Sequence, residues 1–370
     1  MNRIRIILLS SSFIIIFFLG LFIGISQSFP NSELNTIKNQ LEFKNSNVEN
    51  DSFENLNFKD KITIKNINDL TEKRNELLQF VWKTDNLPKQ LPDIVDNNIS
   101  DDRFSSLSNL KQIDRLTIKM EHGLSSIVYI FLPETNNGKI ILYHQGHSGG
   151  FINGKSTIQH FLDNGFSVAA FSMPLIGLNN QPVVEMENIG QIKLLKHNQF
   201  VFLESDDFSS MNYFFTPISV TLNYLSDNYD FKKFHMIGIS GGGWATTVYS
   251  ALDTRITKSF SIAGSLPLSL RSIIDDVGDY EQFHPQFYSI ANYFDIYLMS
   301  SSGTEREHIQ IFNKFDPCCF SGVISSPYYD EITNSVIPLD SGNFEIILDD
   351  THRKHMISDS TINLIIEKIS

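Results

Sequence analysis

The stretch Phe234-His235-Met236-Ile237-Gly238-Ile239-Ser240-Gly241-Gly242-Gly243-Trp244 decides how this chain is read. It begins as an apolar run with strand character and continues into small, helix-compatible residues, so a buried strand gives way to a helix around Ser240. A serine on so sharp a turn carries a strained backbone and projects its hydroxyl outward. Side chains two residues before and two after it would collide, which makes Gly238 and Gly242 a steric requirement. The Gly241 N–H is expected to face an oxygen that becomes negative during reaction. Ala245, Thr246, Thr247 and Ala251 let the helix approach the sheet closely. Ser240 is therefore the candidate nucleophile.

Working outward, short β-rich runs alternate with longer amphipathic ones from about residue 112. Strands are expected at Ile113–Met120 and Ser126–Leu132, around a turn at Glu121-His122-Gly123, then at Lys139–His144, Ser167–Ser172, Phe234–Ile239, Ser259–Ala263, Asp295–Met299 and Phe344–Leu348. Helices are expected near Ser156–Asn164, Pro217–Leu225, Gly242–Leu252, Glu305–Asn313 and Asp359–Ile369. This alternation predicts an α/β fold with a mostly parallel central sheet flanked by helices, joined by right-handed crossovers.

The Gly238-x-Ser240-x-Gly242 pattern, between strand and helix, resembles the nucleophile elbow of the α/β-hydrolase superfamily. Strand order and motif order agree with that superfamily from about residue 112 to the end. The resemblance implies a second oxyanion donor in the loop after the third strand, here His144-Gln145-Gly146-His147-Ser148-Gly149-Gly150. Gln145 separates His144 from Gly146, so the expected donor is the backbone N–H of His147. The side chains of His144 and His147 are read as packing and hydrogen-bonding groups. The resemblance also implies the order serine, acid, histidine along the chain. Two histidines follow the last apolar strand, in Ile346-Ile347-Leu348-Asp349-Asp350-Thr351-His352-Arg353-Lys354-His355. His352 is preferred as the base, with His355 as the alternative. For the acid, Ala263-Gly264-Ser265-Leu266-Pro267 offers no carboxylate, which leaves the region after the seventh strand. Asp316 is preferred and Glu305 is the alternative, although an Asp before Pro317 also suits a helix N-cap.

These groups are expected to hydrolyse carboxylic esters through an acyl-enzyme, with no metal or organic cofactor and a small-molecule ester as substrate. Alternatives are a serine peptidase, a carbohydrate-ester deacetylase of the same fold, or a non-catalytic anchored binding domain. Cap loops at about 174–210 and 266–294 are inserted after the fourth and sixth strands, where such folds bind ligands. Phe200, Phe202, Phe214, Phe215, Phe283, Phe287 and Tyr288 are read as the core of that cap rather than as an acyl pocket.

Composition narrows the remaining classes. The chain has 370 residues, a net charge of −13 and 30 Phe, which supports a large core and excludes the basic face that nucleic acid requires. Arg3 and Arg5 precede an apolar run from Ile6 to Ile25, long enough to cross the roughly 30 Å hydrocarbon layer. Residues 1–28 are accordingly a transmembrane anchor or signal segment, with the catalytic domain outside the cytoplasm, anchored or secreted. Residues 29–66 read as a flexible tether, 67–111 as a helical and extended N-terminal extension, and 112–370 as the hydrolase domain. The adjacent Cys318 and Cys319 are read as small buried apolar residues.

Overall fold

The computed structural model describes residues 57–186, 190–271, 278–318, 320 and 328–370. The expected membrane segment at 1–28 and most of the expected tether lie outside these residues. Among the described residues no helix is long and apolar enough to cross a membrane.

Helix α1 (Ile67–Trp82) is capped by Asn66, whose side chain accepts from the N–H groups of Asn68 and Asp69, and it buries Leu70, Leu77, Leu78 and Val81. Strands β1 (Ile94–Asp96), β2 (Leu110–Lys119) and β3 (Ser125–Pro133) pair antiparallel in succession. The β2–β3 hairpin turns at Glu121–Gly123, with positive φ at His122 and Gly123. β4 (Ile140–His144), helix α2 (Lys155–Asp163) and β5 (Ser167–Phe171) follow. A small ribbon, β6 (Val183–Met186) with β7 (Gly190–Lys193), lies in the first cap segment. Helix α3 (Asn212–Asn228) leads to β8 (Phe234–Ile239), helix α4 (Gly241–Leu252) and β9 (Ile256–Ile262). Helix α5 (Tyr293–Ser301), β10 (Glu307–Asn313), helix α6 (Tyr329–Asp340), β11 (Asn343–Asp349) and helix α7 (Asp359–Ile369) complete the chain.

The main sheet has nine strands in the order β1-β2-β3-β5-β4-β8-β9-β10-β11. Every neighbouring pair from β5 to β11 in this order is parallel. Each of β4, β5, β8 and β10 is buried along its whole length, as expected for strands covered on both faces. The parallel run places the carboxyl ends of β4, β8, β9, β10 and β11 along one edge.

Two expectations are corrected. Residues Asp295–Met299, read as a strand, lie in α5, where Asn292 caps the N-terminus by accepting from the Phe294 and Asp295 N–H groups. Of residues Glu305–Asn313, read as a helix, Glu307–Asn313 form β10 between β9 and β11. The described end of the expected tether is docked rather than free. Phe58, Ile62 and Ile64 are buried, and the Asp295 carboxylate accepts from the Thr63 N–H at 2.8 Å, the Thr63 hydroxyl at 2.6 Å and the Ile64 N–H at 3.1 Å.

Candidate active site

Ser240 is the residue between β8 and α4, at φ 56° and ψ −128°, a conformation costly for any residue but glycine. Its backbone is held on both sides. The Ser240 N–H donates to the Ile262 carbonyl at 2.9 Å, and the Ser240 carbonyl accepts from Trp244 at 3.0 Å. The glycines around it are needed for close approach. A Cβ on Gly238 would sit 2.1 Å from the Gly242 carbonyl oxygen, and one on Gly242 would sit 2.1 Å from the His144 carbonyl oxygen. Ser240 is half-buried while the α4 residues behind it are buried, so its side chain stands at the surface of the core.

The loop after β4 lies directly on this turn. A Cβ on Gly146 would be 2.7 Å from the Ser240 Cβ and 3.2 Å from the Gly241 nitrogen. The His147 ring rests against Gly241, where an added Cβ would meet His147 Cε1 at 2.4 Å. His144 is buried, its Nδ1 is 2.9 Å from the Gln145 carbonyl oxygen and its ring stacks on Phe171, so it packs as expected. Burial pushes its imidazole down to about 4.

Asp316 follows the end of β10 and is buried. Its Oδ2 is 2.8 Å from His355 Nδ1 and its Oδ1 accepts from the Cys318 N–H at 2.8 Å. That second bond makes a local turn in which the side chain mimics backbone, and Pro317 and Cys318 are not helical. Asn313, the last residue of β10, donates to the Met356 carbonyl at 3.0 Å and the Lys354 carbonyl at 3.3 Å, which fastens the His355 loop beside Asp316. The Nε2 of His355 is buried and has no hydrogen-bond partner among the described residues. With Nδ1–H directed at Asp316, that nitrogen carries the ring's lone pair.

The structure thus brings Asp316 together with His355 and not with His352. His352 Nδ1 accepts from the Lys354 N–H at 3.1 Å, which leaves its proton on Nε2, 3.5 Å from Asp349 Oδ2. Its Nε2 is buried without a hydrogen-bond partner among the described residues, as that of His355 is, but its Nδ1 faces a backbone N–H and not a carboxylate. Asp349 itself is taken up by the hydroxyls of Ser358, Thr351 and Thr361 and by the Thr351 N–H. Although burial pushes its carboxyl up, these donors outweigh it and hold it at about 2. Glu305 precedes β10, at the strand end away from the His355 loop, and pairs at the surface with Lys233 at 3.0 Å.

Around the site, Phe200, Phe214, Phe215 and Phe287 are buried. Phe214 and Phe215 pack on Trp244 of α4 with centroids 5.3 Å and 5.5 Å away. Trp244 Nε1 donates to the Tyr288 hydroxyl at 2.7 Å. These aromatic groups are the core that joins cap to helix α4, with Phe202 exposed at 49%. Cys318 is exposed and disulfide-bonded, not a small buried thiol; Cys319, the other cysteine of the sequence, lies outside the described residues.

A second cluster adjoins Gly241. His147 Nε2, His197 and the fully buried Glu281 bring three ligand-type atoms within 4.8 Å of one another. Burial pushes Glu281 up, but the two histidines outweigh it and hold its carboxyl well below the usual range. His197 and Glu281 have no short motif to announce them: they sit in separate cap segments, remote from His147 in the chain.

No known protein family matches the chain by sequence, and no curated protein does. Solved structures do match. An acetyl xylan esterase from a Paenibacillus species superposes with a TM-score of 0.55 at 13% identity, covering 84% of this chain and 97% of that one. An acetyl xylan esterase 1 from a Thermoanaerobacterium species gives 0.53 at 14% identity, covering 84% and 95%. A methylesterase gives 0.53 at 13% identity, covering 82% of this chain and 62% of that one. The chain has the fold of these esterases, which is the expected α/β-hydrolase type.

Proposed function

We propose that this protein is a serine hydrolase that cleaves carboxylic esters through Ser240, His355 and Asp316. The observation that carries the reading is the Asp316–His355 pair at 2.8 Å, with the opposite imidazole nitrogen unengaged, on the same sheet edge as the Ser240 turn. His355 replaces His352 as the base because its Nδ1 faces the Asp316 carboxylate and that of His352 a backbone N–H.

In this mechanism His355 Nε2 takes the Ser240 proton while Ser240 Oγ attacks the ester carbonyl, and Asp316 stabilises the imidazolium that forms. The carbonyl π pair moves to oxygen, and the backbone N–H groups of Gly241 and His147 receive that oxyanion. Collapse expels the alcohol, which leaves with the proton from His355. Water, deprotonated by His355, then attacks the acyl-enzyme and frees the acid and Ser240. Each oxyanion donor of this kind contributes roughly 10²–10³ in rate.

Acetylated carbohydrate is a second reading of the substrate, supported by the acetyl xylan esterases that share the fold. The apolar run from Ile6 to Ile25 supports a place for the catalytic domain outside the cytoplasm, anchored or released. A fluorophosphonate probe tests the central assignment: wild type becomes labelled on Ser240, and Ser240→Ala does not. Absence of labelling in folded wild type, or equal labelling in the variant, defeats it. Hydrolysis of p-nitrophenyl esters of rising chain length, beside acetylated xylan, then separates the two substrate classes.

A further inference from the structure

The cluster beside Gly241 sets two imidazole nitrogens against one buried carboxylate. His197 Nε2 is 2.9 Å from the Pro174 carbonyl oxygen, so that nitrogen carries the ring's proton. The Nδ1 of the neutral ring is then an acceptor, yet it lies 3.1 Å from Glu281 Oε2, another acceptor, and 3.3 Å from His147 Nε2. His147 Nε2 is in turn 2.9 Å from Glu281 Oε1 and 3.2 Å from Asp279 Oδ2. Two ring nitrogens and the Glu281 carboxylate lie within 4.8 Å of one another, with Asp279 at the edge on the His147 side, and a cation among the three satisfies them all.

We propose that His147, His197 and Glu281 form a binding site for a divalent transition metal of the zinc class, with Asp279 beside His147 at its open side. Imidazole and carboxylate ligands suit that class. Tetrahedral zinc with N and O ligands sets neighbouring donor atoms about 3.3–3.5 Å apart. The separations here, 2.9 to 3.3 Å, need to open by only a few tenths of an ångström. The Pro174 carbonyl holds His197 in the tautomer that presents Nδ1, the role an outer carbonyl plays for metal-bound histidines. Glu281 is fully buried, whereas the Asp279 side chain is 50% exposed, which leaves an entry side.

The site joins three separate segments: the loop after β4, the first cap segment through His197, and the second through Asp279 and Glu281. Metal bound there fixes the His147 ring against Gly241 and holds both cap segments onto the loop beside Ser240. The proposal does not depend on the ester-hydrolase reading, because its test measures metal and not turnover.

The test is equilibrium dialysis of the full chain, stripped with chelator, against Zn²⁺, with bound metal measured by elemental analysis. Wild type is expected to retain about one zinc per chain, and Co²⁺ in its place to give the visible absorption of a tetrahedral histidine–carboxylate site. His197→Gln and Glu281→Gln are each expected to weaken binding at least about 100-fold, and Asp279→Asn, at an exposed position, about 10-fold. The wild-type Co²⁺ spectrum stands even where a variant fails to fold. No retained zinc and no Co²⁺ band in folded wild type would overturn the proposal, leaving a hydrogen-bonded ion cluster. Undiminished zinc in all three folded variants would overturn it as well.

Discussion

Ser240 pays for its exposure in backbone strain, and the surrounding glycines are what make that conformation possible. Because a Cβ on Gly238 would lie 2.1 Å from a backbone carbonyl oxygen that has no freedom to move, Gly238→Ala is expected to abolish probe labelling and to lower the yield of soluble protein. Near-normal labelling and yield would show that the turn is looser than described. In the proposed mechanism Asp316 acts one residue removed from the chemistry. It holds the His355 tautomer through a buried 2.8 Å contact, so Asp316→Asn is expected to lower kcat by about 10³–10⁴-fold with little change in thermal midpoint. Steady-state kinetics beside calorimetry check this, and a loss of folding in place of a loss of rate would assign Asp316 a structural role only. The proposed nucleophile was legible in the sequence because its glycines encode local sterics. The proposed base was not: His352 and His355 both follow the last strand closely, and they differ in whether Nδ1 meets a backbone N–H or the Asp316 carboxylate.

At the level of elements, most strands and helices follow from apolar periodicity, and the two exchanged ones show where that signal stops. The residues of α5 are all buried, so no polar face marks a helical period, and Asp295-Ile296-Tyr297-Leu298-Met299 reads as a strand. β10 has the opposite problem. It is a central strand buried on both faces, yet it carries Glu307, His308, Gln310 and Asn313. Tertiary partners engage one polar atom of each of the first three: Ser259 is 2.7 Å from His308, the Tyr328 hydroxyl donates to Gln310 at 2.6 Å, and Asn343 donates to Glu307 at 2.7 Å. None of these partners is local, so the sequence window alone suggests an amphipathic helix. Asp295 gives the element-scale test. Asp295→Ala strands the Thr63 and Ile64 N–H groups, and a loss of about 2–3 kcal/mol is expected, with faster amide exchange at 62–64. Unchanged exchange there would show that the extension is held by its apolar residues alone.

For the molecule as a whole, burial fixes how stability responds to acid. His144 and His235 are pushed down to about 4 and His308 to about 3, in each case chiefly by burial. Each is therefore neutral when folded and titrates near its ordinary 6.5 when unfolded. Below that value the unfolded chain binds more protons than the folded one, so stability falls as pH drops from about 6.5 toward about 4, by up to about 1.4 kcal/mol per pH unit for each histidine. Thermal midpoints between pH 7 and 5 are expected to decline steadily, and less steeply in His308→Gln. A flat profile would mean that these rings are hydrated or charged in the folded state. The overall arrangement was readable from strand–helix alternation, because a parallel sheet brings remote carboxyl ends to one edge. The His147–His197–Glu281 cluster was not, because it arises only when two cap segments fold onto that edge.

His355 and His352 are separated as base most directly by initial rates of p-nitrophenyl acetate hydrolysis for His355→Gln and His352→Gln against wild type. The account predicts that His355→Gln loses about 10³-fold or more in kcat while His352→Gln stays near the wild-type rate. A collapse in His352→Gln with activity retained in His355→Gln would contradict it.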